Sequence, residues 1–188
     1  MRYGSDQKAR TKLRILGAAG KLFREGGFAA TGVSSVMGAA GLTVGGFYAH
    51  FRSKEGLLAQ ALVHALKEID GVWFTGLEDT TGEPFIREIV RRYASRQHRD
   101  NVSGGCPLPA LLPEIARADP EVRDAFTTYI DDFTQEVSSR SGRSQDEVLA
   151  WTAMMIGGLL LSRAVSDPAL SDRILNACRQ LSKEAKHV

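Results

Sequence analysis

Cys106 carries the most reactive side chain in the sequence. It follows Ser103, Gly104 and Gly105 and precedes Pro107, a setting that puts it at the start of a short helix, where N–H groups and the positive end of the helix dipole favour a thiolate. Such a thiol could sense electrophiles or oxidants, while the competing reading makes it a small buried hydrophobe in an apolar turn. His98 lies eight residues upstream, and a thiol–imidazole dyad is the one enzymatic constellation that can be drawn. Glycines between the two fix no geometry. The other histidines, His50, His64 and His187, are scattered, and no HExxH, paired-cysteine or phosphate-cradling glycine pattern occurs. No catalytic residue, metal or cofactor is therefore expected.

A second kind of chemistry is legible over residues 31–54, TGVSSVMGAAGLTVGGFYAHFRSK. Thr31 is a good N-cap, and Val33, Val36, Met37 and Ala40 then recur at helical spacing, which predicts a two-turn helix with one apolar face. Gly41 suits the reversal that follows, since a turn there favours φ > 0. Thr43 can cap a second helix over 44–50, with Phe47 and Phe51 inward and Thr43, Val44, Gly45, Gly46, Tyr48 and His50 outward. Two adjacent glycines cost a helix roughly 1 kcal/mol each relative to alanine, so propensity does not explain them. A helix lying in a DNA major groove does, because Gly45 and Gly46 let backbone approach bases and phosphates. Ser53 can cap the next helix, whose first turn places Lys54 against a phosphate.

Charge supports this reading. Residues 1–54 hold nine Lys and Arg against Asp6 and Glu25, net +7, and the remainder is net −5, although the whole chain is only +2. The positive charge thus coincides with the helix-turn-helix outline, as a polyanion partner requires.

The other elements must position these groups. A helix over 5–24 carries Leu13, Leu16, Ala19, Gly20 and Phe23 inward, with Lys8, Arg10, Lys12 and Arg14 as a phosphate anchor at its start. A long helix over 55–73 connects this region to the rest. Further helices are predicted over 84–98, 109–117, from Asp119, Pro120 and Glu121 onward, over 148–164 behind a Ser144/Glu147 capping box, and over 168–183, nine in all with no strand. The basic flank Arg87, Arg91, Arg92, Arg96 and Arg99 reads as a salt-bridged face. Two cysteines indicate a reduced, cytoplasmic protein, and the longest apolar run, 153–161, is short of a bilayer span.

Residues 11–58, with ILGAAGKLFREGGFAAT followed by VSSVMGAAGLTVGGFYAHFRSKEGLL, resemble the DNA-binding domain of the TetR (tetracycline-repressor-like) family. The resemblance implies an all-α homodimer: a three-helix DNA-binding domain over 1–54, and a ligand-binding and dimerisation domain over 55–188 whose last two helices pair with the twin, aided by Gly157 and Gly158. It implies a repressor released from a palindromic operator by a small molecule. By position, Thr31, Tyr48, His50 and Lys54 match phosphate contacts, and Thr43, Val44, Gly45 and Gly46 the base-facing side. Val44 and Gly46 replace a common lysine and threonine, which shifts readout toward Thr43, Tyr48, a thymine-methyl contact by Val44, and DNA shape. The resemblance also implies an effector cavity, for which Trp73, Tyr93, Cys106, Phe126, Tyr129, Trp151 and Met155 are the candidates, and an apolar or aromatic ligand. A helical interaction module without DNA binding is the alternative of another class.

Overall fold

Apolar residues at three- and four-residue spacing recur along the chain, and the computed structural model is helical throughout. It describes residues 2–184, with side chains over 6–181; the side chain of Arg2 and all of His187 lie outside the described residues. The elements are α1 (Arg2–Gly26), α2 (Val33–Ala39), a 3₁₀ helix (Val44–Ala49), α3 (Lys54–Phe74), α4 (Gly82–Tyr93), α5 (Arg96–Asp100), α6 (Leu108–Ile115), α7 (Pro120–Ser141), α8 (Gln145–Ala164) and α9 (Pro168–Glu184). These are ten helices, and no strand occurs among the described residues. The count exceeds nine because the helix expected over 84–98 is broken: Ala94 leaves the helical region at ψ 53°, and the Ser95 hydroxyl accepts the His98 amide at 3.1 Å to start α5.

The chain packs as two compact units. One comprises residues up to Glu68 together with Ala110–Thr128, and the other Ile69–Pro109 with the residues from Tyr129 on. This packing division falls within α3 and α7 and is separate from the functional division placed at residue 54.

In the first unit, Ile15, Leu16, Ala19 and Phe23 of α1 meet Val36, Met37, Phe47, Phe51, Leu58 and Leu62, all nearly inaccessible. Each such side chain contributes roughly 2 kcal/mol by leaving water. Leu13, expected inward, is 52% exposed; α1 is covered only from Ile15 onward. Arg14 likewise departs from its expected place in a phosphate anchor. Its guanidinium donates to the Ala40 carbonyl at 2.5 Å, capping the end of α2.

The second unit buries Phe85, Ile86, Ile89, Val90 and Tyr93 of α4 with Val137, Val148, Met155, Leu159 and Leu175. The capping box opens α8, with the Glu147 amide donating to Ser144 Oγ at 3.2 Å and the Ser144 amide to the Glu147 carboxylate at 2.8 Å. The basic flank is paired: Arg91 and Arg92 bond Glu88 at 2.6 and 2.8 Å, and Arg99 bonds Asp172 at 3.0 Å. Gly158 serves a contact within the chain, since a Cβ there would stand 2.2 Å from Cys178 Sγ of α9, whereas Gly157 faces open space. Although its apolar run is short, α8 is long and apolar enough by length and composition to cross a bilayer. Here Val148, Trp151, Met155 and Leu159 bury one side of it in the second unit.

Candidate nucleic-acid interface and internal cavity

The turn between α2 and the 3₁₀ helix is set by Gly41, at φ +67°. A side chain there would be strained and would meet the Arg14 guanidinium at 3.0 Å. Beyond it the recognition segment is a six-residue 3₁₀ helix. The expected α-helix over 44–50 is replaced because the glycine pair removes helix propensity and the Thr43 carbonyl takes the Gly46 amide, an i→i+3 bond, at 3.1 Å. Phe47 is its anchor, 1% exposed, with the Phe51 ring 5.6 Å away.

That anchor turns the other side outward. Tyr48 is 77% and Val44 48% exposed, and Thr43 and Gly45 are exposed beside them. Thr43 occupies the N-cap position without a side-chain cap bond, so its hydroxyl does not cap as expected. No atom of the protein lies within 4 Å of where a Gly45 Cβ would stand, and only the flexible end of Met37 comes within that distance at Gly46. Intramolecular packing therefore gives no reason for Gly45. His50 is half-buried, with Nδ1 buried and without a hydrogen-bond partner.

Thr31 is buried and does not cap α2; Gly32 is the N-cap residue, with no side-chain bond. The Thr31 hydroxyl instead donates backward to the Gly27 carbonyl at 2.7 Å, tying the loop to the end of α1. Lys54 reaches the same loop, with Nζ 3.4 Å from the Ala29 carbonyl and 4.2 Å from the centre of the Phe28 ring. Sequence reasoning missed Glu114, whose carboxylate accepts the Phe28 and Ala29 amides at 2.8 and 3.1 Å. No local signal marks it, because its partners are 86 and 85 residues away. Ser53 caps α3 as expected, accepting the Gly56 amide at 2.9 Å.

The second unit encloses a cavity of about 40 Å³. Trp73, Tyr93, Cys106, Tyr129, Trp151 and Met155 line it, as expected, and Phe126 does not: it belongs to the first packing unit. Asp70 was missed; the Tyr129 hydroxyl donates to its carboxylate at 3.0 Å. Burial pushes the Tyr129 phenol well above its usual range.

Cys106 is 6% exposed, and burial pushes its thiol up to about 11, outweighing the Leu108 amide that favours the thiolate. The neutral thiol therefore dominates at neutral pH. The dyad with His98 does not form. His98 Nε2 accepts the backbone amide of Cys106 at 2.9 Å, and Nδ1 lies 2.8 Å from the Tyr93 carbonyl, to which it must donate. Both ring nitrogens are thereby used in holding the loop closed, and the imidazole is neutral.

Burial lowers the His98 pKa to about 4. The unfolded chain takes up this proton near pH 6.5 and the native one does not, so the stabilisation is complete above pH 6.5 and is lost as pH falls toward 4. Wild type is expected to lose up to about 3 kcal/mol more than His98→Gln across that window, checked by urea unfolding at pH 7 and 4.5. Equal losses would contradict the buried neutral imidazole.

Residues 15–61 match the family described as bacterial regulatory proteins, tetR family. Among curated relatives, the chain is 32% identical over 96 residues to the uncharacterized HTH-type transcriptional regulator YerO of Bacillus subtilis (strain 168), a match covering 47% of the chain but only 30% of that relative's length. It is 22% identical to the HTH-type transcriptional regulator LmrA of the same organism, over 86% of the chain and 88% of the relative. Among solved structures, a TetR transcriptional regulator from Chloroflexus aurantiacus J-10-fl superposes with a TM-score of 0.76 at 23% identity, covering 98% of both chains. A buried aromatic anchor, an exposed recognition face and this fold agree with the match over 15–61: through its helix-turn-helix domain the chain belongs to the tetR family of DNA-binding transcriptional regulators.

Proposed function

We propose that the protein is a homodimeric, cytoplasmic repressor that binds a palindromic operator through residues 1–54 and is released from it by a small hydrophobic ligand held in the domain over 55–188. The recognition segment carries this reading: an exposed Thr43, Val44, Gly45 and Tyr48 face with open space over Gly45, on a segment of net charge +7. Tyr48, His50 and Lys54 supply phosphate contacts, and Val44 and Gly46 lie toward the bases. Thr31, its hydroxyl donating to Gly27, acts by holding the loop and by its backbone. The pairing surface is the exposed apolar rows Leu149, Ala153, Leu160 and Ala164 on α8 and Leu170, Ala177 and Leu181 on α9, spaced by four and seven residues.

Gly45→Ala separates folding from recognition. The new methyl has open space in the protein and favours helix, so stability is expected to hold or rise by up to about 1 kcal/mol. Operator affinity, measured by fluorescence anisotropy, is expected to fall at least about tenfold if backbone approaches DNA at this position. Wild-type affinity in this variant would contradict the docking.

A further inference from the structure

The cavity of the second unit carries two hydrogen-bond donors without matched acceptors. Trp151, 9% exposed, has a buried Nε1–H with no partner among the described residues. Tyr93, also 9% exposed, has a buried hydroxyl with no conventional partner; it rests against the Cys106 thiol, a weak acceptor at best. Both residues line the same cavity, and indole nitrogen can only donate. A buried donor left unmatched is costly, so a site holding two of them favours a molecule that brings an acceptor.

The rest of the lining narrows the chemistry. Trp73, Phe74, Tyr129 and Phe133 supply aromatic walls, with Phe74 and Phe133 stacked at 6.4 Å and Tyr129 and Phe133 at 5.9 Å. Asp70 is the one charged side chain in the lining, and no basic one is present there among the described residues. An anion would face that carboxylate in a low-dielectric enclosure with no compensating cation. A cation could approach Asp70 but would leave the Trp151 and Tyr93 donors unmatched. Size is restrictive too. About 40 Å³ has room for roughly three waters, so a ring enters only as Met155, an unbranched and adaptable side chain, gives way.

We propose that the effector is a compact, uncharged aromatic carbonyl compound, its oxygen accepting from Trp151 Nε1–H and Tyr93 O–H and its ring lying among Trp73, Phe74, Tyr129 and Phe133. This rests on the reading of the protein as a ligand-released regulator and names the ligand's class.

Four probes of near-equal size test it on the full-length protein by NMR titration: acetophenone, ethylbenzene, 1-phenylethylammonium and benzoate. Acetophenone is expected to bind about tenfold more tightly than ethylbenzene, as one or two matched donors imply, and both charged probes more weakly than acetophenone. Trp151→Phe and Tyr93→Phe each shrink the acetophenone-to-ethylbenzene ratio, and together bring it to about one. A merely damaged cavity would weaken both ligands and leave their ratio unchanged. Equal binding of ketone and hydrocarbon, tighter binding of either ion, a ratio indifferent to both substitutions, or no binding of acetophenone to folded protein overturns the proposal. Operator binding is measured separately on the same samples. Ketone selectivity without operator release would sink the ligand-release reading and leave the cavity chemistry standing, and release by a ligand of another class would do the reverse.

Discussion

Gly105→Ala is expected to destabilise the protein by about 3 kcal/mol, at the upper end of overpacking penalties. A Cβ at this position would stand 2.6 Å from His98 Cδ2, 2.8 Å from His98 Nε2 and 2.7 Å from the Asn101 carbonyl oxygen. Neither neighbour can retreat cheaply. The Asn101 oxygen is backbone, and the His98 ring is held from both nitrogens, by the Tyr93 carbonyl and by the Cys106 amide. The same ring packs edge-on against Trp73 at 4.9 Å and Tyr93 at 4.6 Å, so a shift would disturb the cavity wall. Urea unfolding followed by tryptophan fluorescence reads the loss, with Gly157→Ala as control because nothing lies within 4 Å of a Cβ there. Equal midpoints for the two variants would show that the loop over 101–106 does not hold His98 as described.

Tyr48→Ala is expected to weaken operator binding by about ten- to a hundredfold, the range of a lost hydrogen bond to a charged phosphate oxygen. The ring is 77% exposed and touches its own domain mainly through an edge contact with Phe47, centroids 5.2 Å apart. Its removal should change the unfolding free energy by no more than about 0.5 kcal/mol, as for exposed positions generally. Tyrosine is uncharged, so the dependence of affinity on salt should keep its slope. Lys54→Ala should instead lower that slope by about one, because one phosphate neutralisation is lost. A Tyr48→Ala protein that melts normally and binds its operator as wild type would remove Tyr48 from the interface.

What the sequence made legible was mostly local. The apolar face of α2, the Ser53 cap and the Ser144/Glu147 box depend on residues within one or two turns of each other, and all are present. Six of seven cavity candidates line one space because large side chains on the inner faces of neighbouring helices must meet somewhere. The misses have one physical cause, which is that side chains choose partners far along the chain. Thr31 and Thr43 have the composition of caps, yet one hydroxyl turns back to Gly27 and the other makes no cap bond. Arg14 looked like a phosphate anchor until the end of α2 came within its reach, and Glu114 carried no signal at all. Cys106 followed the helix-start rule for a thiolate, but burial outweighs that dipole, a quantity set by tertiary packing. The 3₁₀ recognition segment was foreshadowed by the glycine pair, whose propensity cost was visible while the resulting geometry was not.

The central claim is sequence-specific binding of a palindrome through the Thr43–Tyr48 face. Selection of binding sites from random duplex DNA at fixed, near-physiological salt tests it most directly. The account predicts enrichment of one inverted repeat, with affinity that falls steeply as salt rises and falls again in Tyr48→Ala. Failure to enrich any sequence, with weak binding indifferent to both salt and Tyr48→Ala, would contradict it and leave a helical interaction module in its place.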